Sequence, residues 1–556
     1  MLIVSDVSYM NQGKMLLSHV SFTLDRERKV IIGENGCGKT TLLEIIVGNL
    51  SPYTGSVTIK GSFAYLPQEV QALETTGMEE IERVFHRIKT VERLIEELER
   101  RGDYGKEYGE LLEHYADIGG YSYRQRILEV ANSFGLCEQT LRQKLKDISG
   151  GERTKVELVK AILSEADFLI LDEPTNHLDV ETIEALEEYL LNYRGGLLIV
   201  SHDRSFINNI ATHILYIERG MMKEYTGNYD KFEMVKSKED QFATKERERL
   251  LKYVEEQRKF IEKFRYGTRS KQALSREKAI EKIEIPDPLV NRKRELKIEQ
   301  GKRGGEIVLD CKGIKKSFDG NEVLKGVNLS IRRGERIGIL GRNGSGKTTL
   351  LKIIAGVDKN FEGNVRVGES IEIGYFPQDS FMIDDNVTPL DEIIKEGLTV
   401  QESRDFLSMF DLRGDDVFKK ISEFSGGEKR KLILAKMSLV KGNFLVMDEP
   451  TNHLDIEMNQ VVMNALKNFD GSILLVTHDR YLLKELTNKV YYLEDGILND
   501  REKILKRVET KSNEEKEKNK IKARIEYLER LLSREDNEKR SKELKILKAR
   551  LQKMNR

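Results

Sequence analysis

Two glycine-rich segments of this sequence each follow a short apolar run and end in the tetrapeptide Gly-Lys-Thr-Thr. In such a loop the glycines let backbone N–H groups converge on phosphate oxygens, the lysine reaches the β- and γ-phosphates, and the first threonine offers a hydroxyl to Mg²⁺. The pattern therefore predicts two sites for ATP with Mg²⁺. The residues expected to hold the nucleotides are Gly33, Asn35, Gly36, Gly38, Lys39, Thr40 and Thr41 in the first loop, and Gly341, Asn343, Gly344, Gly346, Lys347, Thr348 and Thr349 in the second.

An acidic pair ends an apolar run in each half of the chain. The run at 168–171 leads into Asp172 and Glu173, and Asp448 and Glu449 repeat the pair. The aspartates suit the Mg²⁺ shell and the glutamates suit the polarisation of an attacking water, which is the positioning that phosphoryl transfer needs. A helix N-terminus that favours acids is the alternative, but it does not explain why the pair recurs beside a P-loop. Because both glutamates are present, we expect two hydrolytic sites.

Histidine and glutamine also recur at matching positions. His202 and His478 each follow an apolar run and stand 30 residues after the aspartate of their acidic pair. We expect both to sense the γ-phosphate, although a lone histidine is more often structural. Gln68 and Gln378 are expected to contact Mg²⁺ or the attacking water.

An aromatic residue precedes each P-loop by a similar distance. We expect Tyr9 and Phe318 to stack on the adenine rings of the two nucleotides. Packing in the protein core is the alternative for both residues.

The spacing of these motifs reveals a repeat. Gln68 and Gln378 lie 310 residues apart, whereas the later motifs, a Ser-Gly-Gly-Glu segment among them, lie 276 apart. The difference places about 34 additional residues in the first half, between Gln68 and Ser149. Short apolar runs that suit buried parallel strands alternate with helical segments in both halves, which predicts an α/β fold. We divide the chain into domains at 1–232 and 306–500, a linker at 233–305 and a tail at 501–556.

The order of the motifs in each half, from P-loop through glutamine, Ser-Gly-Gly-Glu and the acidic pair to histidine, resembles that of an ABC ATPase domain. The resemblance implies that the Ser-Gly-Gly of one domain caps the nucleotide held by the other, and a helix start offers free N–H donors for that purpose. It also implies that Asp179 and Asp455 belong to the loop that couples the two sites. The capping residues would be Ser425, Gly426 and Gly427 at the Lys39 site, and Ser149, Gly150 and Gly151 at the Lys347 site.

The linker is basic and carries aromatic residues among its charges. Residues 236–303 hold 21 Lys and Arg against 13 Asp and Glu, although the whole chain has a net charge of only −1. Residues 258–282 hold nine basic and three acidic residues, with three aromatic residues among them. Because cations bind phosphates and aromatic rings stack on exposed bases, we expect contact with RNA. A solvated coiled coil is the alternative.

Two fused ABC domains joined by a basic helical linker resemble the ABC-F family over nearly the whole chain, and residues 259–265 and 273–278 resemble that family's linker. The resemblance implies an α/β fold of two tandem P-loop ABC ATPase domains, a helical hairpin linker and a C-terminal coiled-coil tail. It implies an ATPase with ATP and Mg²⁺ as cofactors. It also implies a protein that binds the ribosome at the tRNA exit site, contacts 23S rRNA and the peptidyl-site tRNA through its linker, and modulates translation.

Two further segments carry expectations about partners. The additional segment at about 79–115 has apolar residues every three or four positions and 11 acidic against 7 basic residues, so it begins as an amphipathic helix. It resembles the arm of the ABC-F family, which favours a contact with ribosomal protein; an intramolecular prop is the alternative. The basic tail at 501–556 has the apolar spacing of paired helices, and rRNA, DNA and self-association all remain open for it.

Composition limits the remaining possibilities. The three cysteines lie far apart, the N-terminus is not signal-like, and no apolar run approaches the ~18 residues of a membrane span. We therefore expect a cytoplasmic monomer without a membrane span, in which the two domains pair within one chain. The alternatives are ribosome protection against antibiotics, which a short linker tip disfavours, a DNA-binding ATPase and an ATPase subunit of a transporter.

Overall fold

The computed structural model describes most of the two domains and the first helix of the linker. It describes residues 1–11, 14–68, 70, 72–176, 178–264, 275–277, 279–280, 304–318, 320–377, 384, 386–395, 397–424, 426–439, 442–451 and 454–500. The expectations for Gln378, Ser425, the tail and most of the linker's second half fall outside these residues. Within them, no helix combines the length and the apolar character that crossing a membrane requires.

The first half contains a six-stranded sheet and a three-stranded sheet. In the larger sheet the strand order runs from Phe63–Leu66 to Met221–Thr226, all neighbours are parallel except the last pair, and the P-loop strand Arg28–Gly33 lies inside the sheet. The smaller sheet is antiparallel and carries a hairpin before the P-loop. In spatial order the strands are Phe63–Leu66, Phe168–Asp172, Gly196–Val200, Arg28–Gly33, His213–Glu218 and Met221–Thr226 in the larger sheet, and Lys14–Leu24, Leu2–Asn11 and Thr54–Ile59 in the smaller.

Helices connect these strands and continue into the linker. The helices of the first half are Lys39–Val47, Gly77–Glu82, His86–Arg101, Lys106–Asp117, Tyr123–Ser133, Glu138–Leu141, Gly150–Leu163, Val180–Asn192 and Arg204–Ile210, with 3₁₀ turns at Arg83–Phe85 and Leu145–Asp147. A long helix, Tyr229–Phe264, begins after the last strand of the sheet, and we call it the linker helix.

The second half repeats this architecture. Its larger sheet also has one antiparallel edge strand, and its smaller sheet again carries a hairpin before the P-loop. The strands are Ile373–Phe376, Phe444–Asp448, Ser472–Val476, Arg336–Leu340, Lys489–Glu494 and Ile497–Asp500 in the larger sheet, and Asn321–Arg332, Ile307–Phe318 and Glu362–Val367 in the smaller. The helices are Lys347–Ile354, Pro389–Ile394, Val400–Met409, Gly426–Leu439, Ile456–Lys467 and Arg480–Leu486, with 3₁₀ turns at Gly414–Phe418 and Ile421–Glu423.

The cores explain why these elements form. Every residue of the strands Phe168–Asp172 and Phe444–Asp448 is buried, because helices cover one face of each large sheet and the small sheet covers the other. Continuous apolar strands of this kind are typical of parallel sheets buried on both faces. The predicted α/β fold with two repeated domains is confirmed.

The additional segment of the first half contains two helices, His86–Arg101 and Lys106–Asp117, which we call the arm. A capping box of Thr76 and Glu79 starts the preceding short helix, and a 3₁₀ turn separates that helix from the arm. The sequence pattern suggested one amphipathic helix from about residue 79. The side chains of Ile88, Val91 and Ile95 are buried, as that pattern predicts for one face of a helix.

Candidate nucleotide sites between the two halves

A cavity of about 1340 Å³ lies between the two halves. An ordinary ligand pocket holds roughly 300–1,000 Å³, so this cavity exceeds the size of one such site. Both P-loops and both acidic pairs line it. The predicted site residues in its lining are Asn35, Gly36, Gly38, Lys39, Thr40, Thr41, Gln68, Asp172, Glu173 and His202 from the first half, and Phe318, Asn343, Gly344, Gly346, Lys347, Thr348, Thr349, Asp448, Glu449 and His478 from the second.

The first P-loop curls around its own lysine. Gly36 and Gly38 adopt φ angles of +80° and +100°, which glycine reaches at no steric cost, and the helix Lys39–Val47 starts directly after them. The Nζ of Lys39 donates hydrogen bonds of 2.9 Å to the carbonyl oxygens of Gly33 and Glu34. The lysine is thus held beside the N–H groups at the start of the helix, where an anion is favoured.

The second P-loop has the same geometry. Gly344 and Gly346 have φ angles of +79° and +96°. The Nζ of Lys347 donates to the carbonyl oxygens of Gly341 at 2.7 Å and Arg342 at 2.9 Å. Burial lowers the pKa of Lys347, against the effect of the nearby carboxylates of Glu449 and Asp448.

The acidic pair of the first half is buried beside the first P-loop. Burial raises the pKa of Asp172 to about 6, although the hydroxyl of Thr40 opposes that shift. Burial, and then the charge of Asp172, raises the pKa of Glu173 to about 8. Glu173 has a φ of +49°, a strained conformation for a non-glycine residue, and its N–H donates to the carbonyl of Val200 at 2.9 Å. Glu449 repeats the conformation with a φ of +50°.

The predicted γ-phosphate sensors contact these glutamates. The Nε2 of His202 lies 3.2 Å from Oε1 of Glu173, and the backbone N–H of His202 donates to Oε2 of the same carboxylate at 3.2 Å. The corresponding distances from His478 to Glu449 are 3.5 and 3.3 Å. Burial lowers the pKa of His478 to about 3 and also lowers that of His202. Both imidazoles are therefore neutral near pH 7 and can donate one hydrogen bond and accept another.

Asp172 and Thr40 fit a shared Mg²⁺ ion. Mg²⁺ usually takes one or two carboxylates together with phosphate oxygens and water, and among the described residues no group of three or more His, Cys, Asp or Glu could hold a metal alone. Both carboxylate oxygens of Asp172 are buried without a hydrogen-bond partner of normal geometry, though Thr40 is near enough to affect its pKa. Asp448 and Thr348 stand at the equivalent positions. An ion held jointly with a nucleotide would satisfy these oxygens.

Asp179 and Asp455, which are predicted to couple the two sites, lie across the interface from the P-loops. The backbone N–H of Asn35 donates to Oδ2 of Asp455 at 3.4 Å. Asp179, 3.5 Å from the Nζ of Lys155, lies close enough to Lys347 in the other half to affect its pKa. Each aspartate is therefore near the nucleotide site of the opposite half.

The Ser-Gly-Gly segments start long helices. Ser149 caps the helix Gly150–Leu163 and forms a capping box with Glu152. Glu428 and Lys431, on the helix Gly426–Leu439, line the same cavity. Ser149, Gly150 and Gly151 are not among the cavity-lining residues, and their capping role stays a prediction.

The hairpin before each P-loop places residues at the cavity, and in the first half the sequence pattern did not identify Asn11 among them. Phe318 pairs with Asn321 at the end of its hairpin, and Asn11 pairs with Lys14 in the same way. Phe318 and Asn11 both line the cavity, whereas Tyr9 packs against the core of the first half and is not among the described lining residues. The sequence prediction matched Tyr9 to Phe318 by the number of residues before each P-loop. It missed Asn11 because the two hairpin ends stand at different distances from their P-loops. The hairpin register was the signal that would have found Asn11.

Comparison with known proteins gives the family. An ABC transporter family model matches residues 17–176 and 324–452, and a second ABC transporter model matches residues 215–298. The chain is 32% identical to "Probable ATP-binding protein YheS" of Escherichia coli K12 over 98% of this chain and 87% of the relative. It is 32% identical to "ABC transporter F family member 5" of Arabidopsis thaliana over 88% of this chain and 74% of the relative.

A solved structure supports the fold alone. The complex of archaeal ribosomal stalk protein aP1 and archaeal ribosome recycling factor aABCE1 matches with a TM-score of 0.59 at 18% sequence identity. The match covers 91% of this chain and 92% of the other. The tandem arrangement of two nucleotide-binding domains is therefore shared with solved proteins.

Proposed function

The chain belongs to the ABC-F family of tandem ABC ATPases, and from that premise we propose that it binds the ribosome at the tRNA exit site and modulates translation there. ATP with Mg²⁺ would be bound at both P-loops. Hydrolysis by water would involve Glu173 in one site and Glu449 in the other. The proposal places the protein in the cytoplasm as a monomer whose two domains pair within the chain.

The single observation that carries the proposal is that both nucleotide sites lie between the halves from which the basic linker emerges. A ligand shifts a conformational equilibrium only by its differential affinity for the two states. A γ-phosphate contacted from both sides favours the closed arrangement, and its loss on hydrolysis removes that preference. ATP would thus control the orientation of whatever is attached to the two halves.

The described part of the linker supports a basic hairpin. The guanidinium of Arg276 lies 3.8 Å from the ring centre of Phe260 and donates to Oε1 of Gln257 at 3.0 Å. Residue 276 therefore lies against the helix that contains residues 257 and 260. A hairpin with a surplus of cations suits the phosphates of folded RNA. We propose 23S rRNA and the peptidyl-site tRNA as its partners.

The arm favours a different partner. Its helices His86–Arg101 and Lys106–Asp117 belong to a segment with more acidic than basic residues, which disfavours RNA. Tyr104 and Tyr121 are 66% and 72% exposed near this arm. Exposed tyrosines are enriched at protein interfaces because they combine an apolar ring with a hydrogen-bonding group. We propose ribosomal protein as the partner of the arm.

Co-sedimentation with 70S ribosomes tests the proposal. Glu173→Gln with Glu449→Gln, which we call the hydrolysis-deficient variant, should retain ATP and sediment with ribosomes in ATP but not in ADP. Adding Lys39→Ala and Lys347→Ala should abolish this difference, because nucleotide binding is removed. Equal ribosome occupancy in ATP and ADP would falsify the proposal.

Charge reversal in the linker separates specific binding from general attraction. Arg258→Glu with Lys259→Glu should release the hydrolysis-deficient variant from ribosomes. As a matched control, Lys60→Glu with Lys359→Glu reverses two exposed lysines close to the small sheets and should leave sedimentation unchanged. If both pairs release the protein equally, the linker is not the RNA-binding element.

A further inference from the structure

One arginine of the first half contacts the linker helix and the second half at once. Arg204 directly follows His202 and Asp203, a pair that we call the switch loop. Its Nη2 donates to Oε2 of Glu233 at 2.7 Å and to Oδ1 of Asp230 at 3.2 Å, and its Nη1 donates to Oε1 of Glu233 at 3.3 Å. Asp230 and Glu233 lie in the first turns of the linker helix. The planar fork of an arginine is suited to binding several carboxylate oxygens in this way.

The same guanidinium lies between two aromatic rings. Its carbon Cζ is 4.9 Å from the ring centre of Tyr229, the first residue of the linker helix, and 4.3 Å from that of Tyr481 in the second half. Its Nη1 also donates to Oε1 of Gln460, again in the second half, at 3.3 Å. The side chain of Arg204 is only 15% exposed. Cation–π contacts gain strength when they are desolvated in this way.

The homologous arginine of the second half has different partners. Arg480, which follows His478 and Asp479, donates from Nη1 to Oε2 of Glu187 across the interface at 3.1 Å and bonds the other carboxylate oxygen through Nη2. Among the described residues, no contact of Arg480 with the linker helix is present. Within the described structure, the bonds between the arginine after the switch loop and the linker helix are therefore made by Arg204 and not by Arg480.

We propose that Arg204 is a positioning residue that couples the nucleotide state of the Lys39 site to the orientation of the linker helix. With the halves closed, Tyr481 and Gln460 fix the guanidinium, which in turn holds Asp230 and Glu233. When the halves separate, the contacts with the second half are lost and the first turns of the linker helix lose this support. The inference rests on the proposed function only for the biological use of the linker, because the coupling itself needs no ribosome.

Distance measurements between spin labels test the coupling without ribosomes. One label pair, on Tyr53→Cys and Phe242→Cys, reports the linker helix against the first half. A second pair, on Tyr53→Cys and Val357→Cys, reports the two halves against each other. These label sites are exposed, and the background carries Cys37→Ser and Cys137→Ser so that the labels react only where intended. In the hydrolysis-deficient variant both distances should change on addition of ATP.

Arg204→Gln should change the response of one label pair and not of the other. The distance between the halves should still change with ATP, whereas the linker distance should lose most of its ATP-dependent change. Arg204→Lys, which keeps the charge but not the fork, should restore part of it. A linker distance that responds to ATP as fully as in the parent protein would overturn the proposal.

Variants on the linker side keep the test valid if Arg204→Gln fails to fold. Asp230→Asn with Glu233→Gln weakens the hydrogen-bond acceptors of Arg204 and leaves the switch loop intact. This variant should therefore also lose most of the ATP-dependent change in the linker distance. Glu239→Gln is the control, because Glu239 joins the linker helix to the strand Met221–Thr226 through Lys223 at 2.8 Å and does not contact Arg204. If the Glu239 variant causes the same loss, the effect is general loosening and the role of Arg204 is refuted.

Ribosome binding gives a second readout. Allosteric coupling commonly changes an affinity roughly 5- to 150-fold, and we expect Arg204→Gln to reduce the ATP-to-ADP ratio of ribosome affinity about tenfold. The KM for ATP should remain near that of the parent, since Arg204 does not line the phosphate cavity. If neither the parent nor any variant binds ribosomes, the proposed function fails while the spin-label result still decides the coupling.

Discussion

The Lys347 site and the Lys39 site share their motifs but differ in the charged residues at the edge of each site, where a P-loop residue of one half stands near a glutamate of the other. At the Lys347 site, Arg342 of the P-loop donates from Nη2 to Oε2 of Glu181 in the other half at 3.0 Å. The hydroxyl of Tyr492 donates to the other oxygen of Glu181 at 2.7 Å. A cation and a phenol thus hold one carboxylate across the interface.

At the Lys39 site the equivalent residues are both acidic. Glu34 stands where the second P-loop has Arg342, and Glu457 stands where the first half has Glu181. Both carboxylates lie close enough to Tyr216 to raise its pKa, burial being the larger cause. The hydroxyl of Tyr216 reaches Oε1 of Glu457 only at 3.5 Å.

The interface arginines add to the difference. Arg480 forms a buried ion pair with Glu187 across the interface, whereas the residue equivalent to Glu187 in the second half is Met463. Arg204 therefore has no carboxylate opposite it at that position and bonds the linker helix instead. Homologous halves that share their P-loop, acidic-pair and histidine motifs thus have different interfaces. We expect the Lys347 site to stay closed longer and the Lys39 site to open first.

Removal of one of the two glutamates that are proposed to activate water should have the largest effect and should test this order directly. A positioned acid or base contributes typically 10²–10⁴-fold to rate, so Glu173→Gln and Glu449→Gln should each abolish most hydrolysis at their own site. The turnover that remains reports the other site. Steady-state ATPase assays should show more residual turnover in Glu449→Gln, because the intact Lys39 site opens more readily. Equal residual rates would contradict the asymmetry.

Breaking the buried ion pair should have the next largest effect. Glu187→Ala leaves Arg480 buried without its acceptor, a change that costs about 3–5 kcal/mol in comparable buried pairs. The closed state should be destabilised, and release of ATP from the hydrolysis-deficient variant should become roughly 100-fold faster or more. Stopped-flow release of a fluorescent ATP analogue measures this rate.

The same helix supplies the control for Glu187. Glu188→Ala removes an exposed carboxylate one residue along the chain and should leave the release rate within about twofold, because exposed charges contribute little. If both variants release nucleotide equally fast, the ion pair does not hold the interface.

The two hairpin residues that are expected near the adenine rings should differ less in their effect on nucleotide binding. Phe318 lines the cavity at the Lys347 site, whereas Asn11 occupies the equivalent hairpin position at the Lys39 site. Loss of base–aromatic stacking costs about 1–3 kcal/mol, so Phe318→Ala should weaken nucleotide binding at least about fivefold in equilibrium titrations. Asn11→Ala should change affinity much less. A large effect of Asn11→Ala would mean that the two hairpins act alike.

The sequence identified residues that line one cavity because each motif is a local string of residues with its own chemistry. Lys39, Asp172, Glu173 and His202 all line one cavity, and their second-half equivalents line it too. The α/β class followed from short apolar runs that suit buried parallel strands and alternate with helical segments. Contacts between residues far apart in the chain could not be found this way. Glu187 and Arg480 are separated by 293 positions, and nothing local marks either residue as an interface group.

The difference between the interfaces of the two sites could not be predicted from the repeat. Matching the halves by motif emphasised what they share, whereas the contacts that differ, such as Arg342 with Glu181, lie at variable positions inside or beside the motifs. Tyr9 shows the same limit, because distance from the P-loop ignores the register of the hairpin. The short helix break after Glu82 was also missed, since apolar spacing continues across the 3₁₀ turn.

Exchange of one charge beside the P-loop of the Lys39 site should have the smallest effect on nucleotide release. The direction of that effect tests the comparison between the two sites. Glu34→Arg gives the first P-loop the residue of the second and puts a charge opposite in sign to that of Glu457 at this position. Because both residues are at the surface, the gain should be about 1 kcal/mol or less, which slows nucleotide release from the Lys39 site up to about fivefold at low salt and less at high salt. The reverse exchange, Arg342→Glu, should speed release from the Lys347 site by a similar factor. Each change makes the charges at the two sites more alike, so the two nucleotide release rates should become more similar. If the release rates differ more in either variant, the charge beside the P-loop does not set the order of opening.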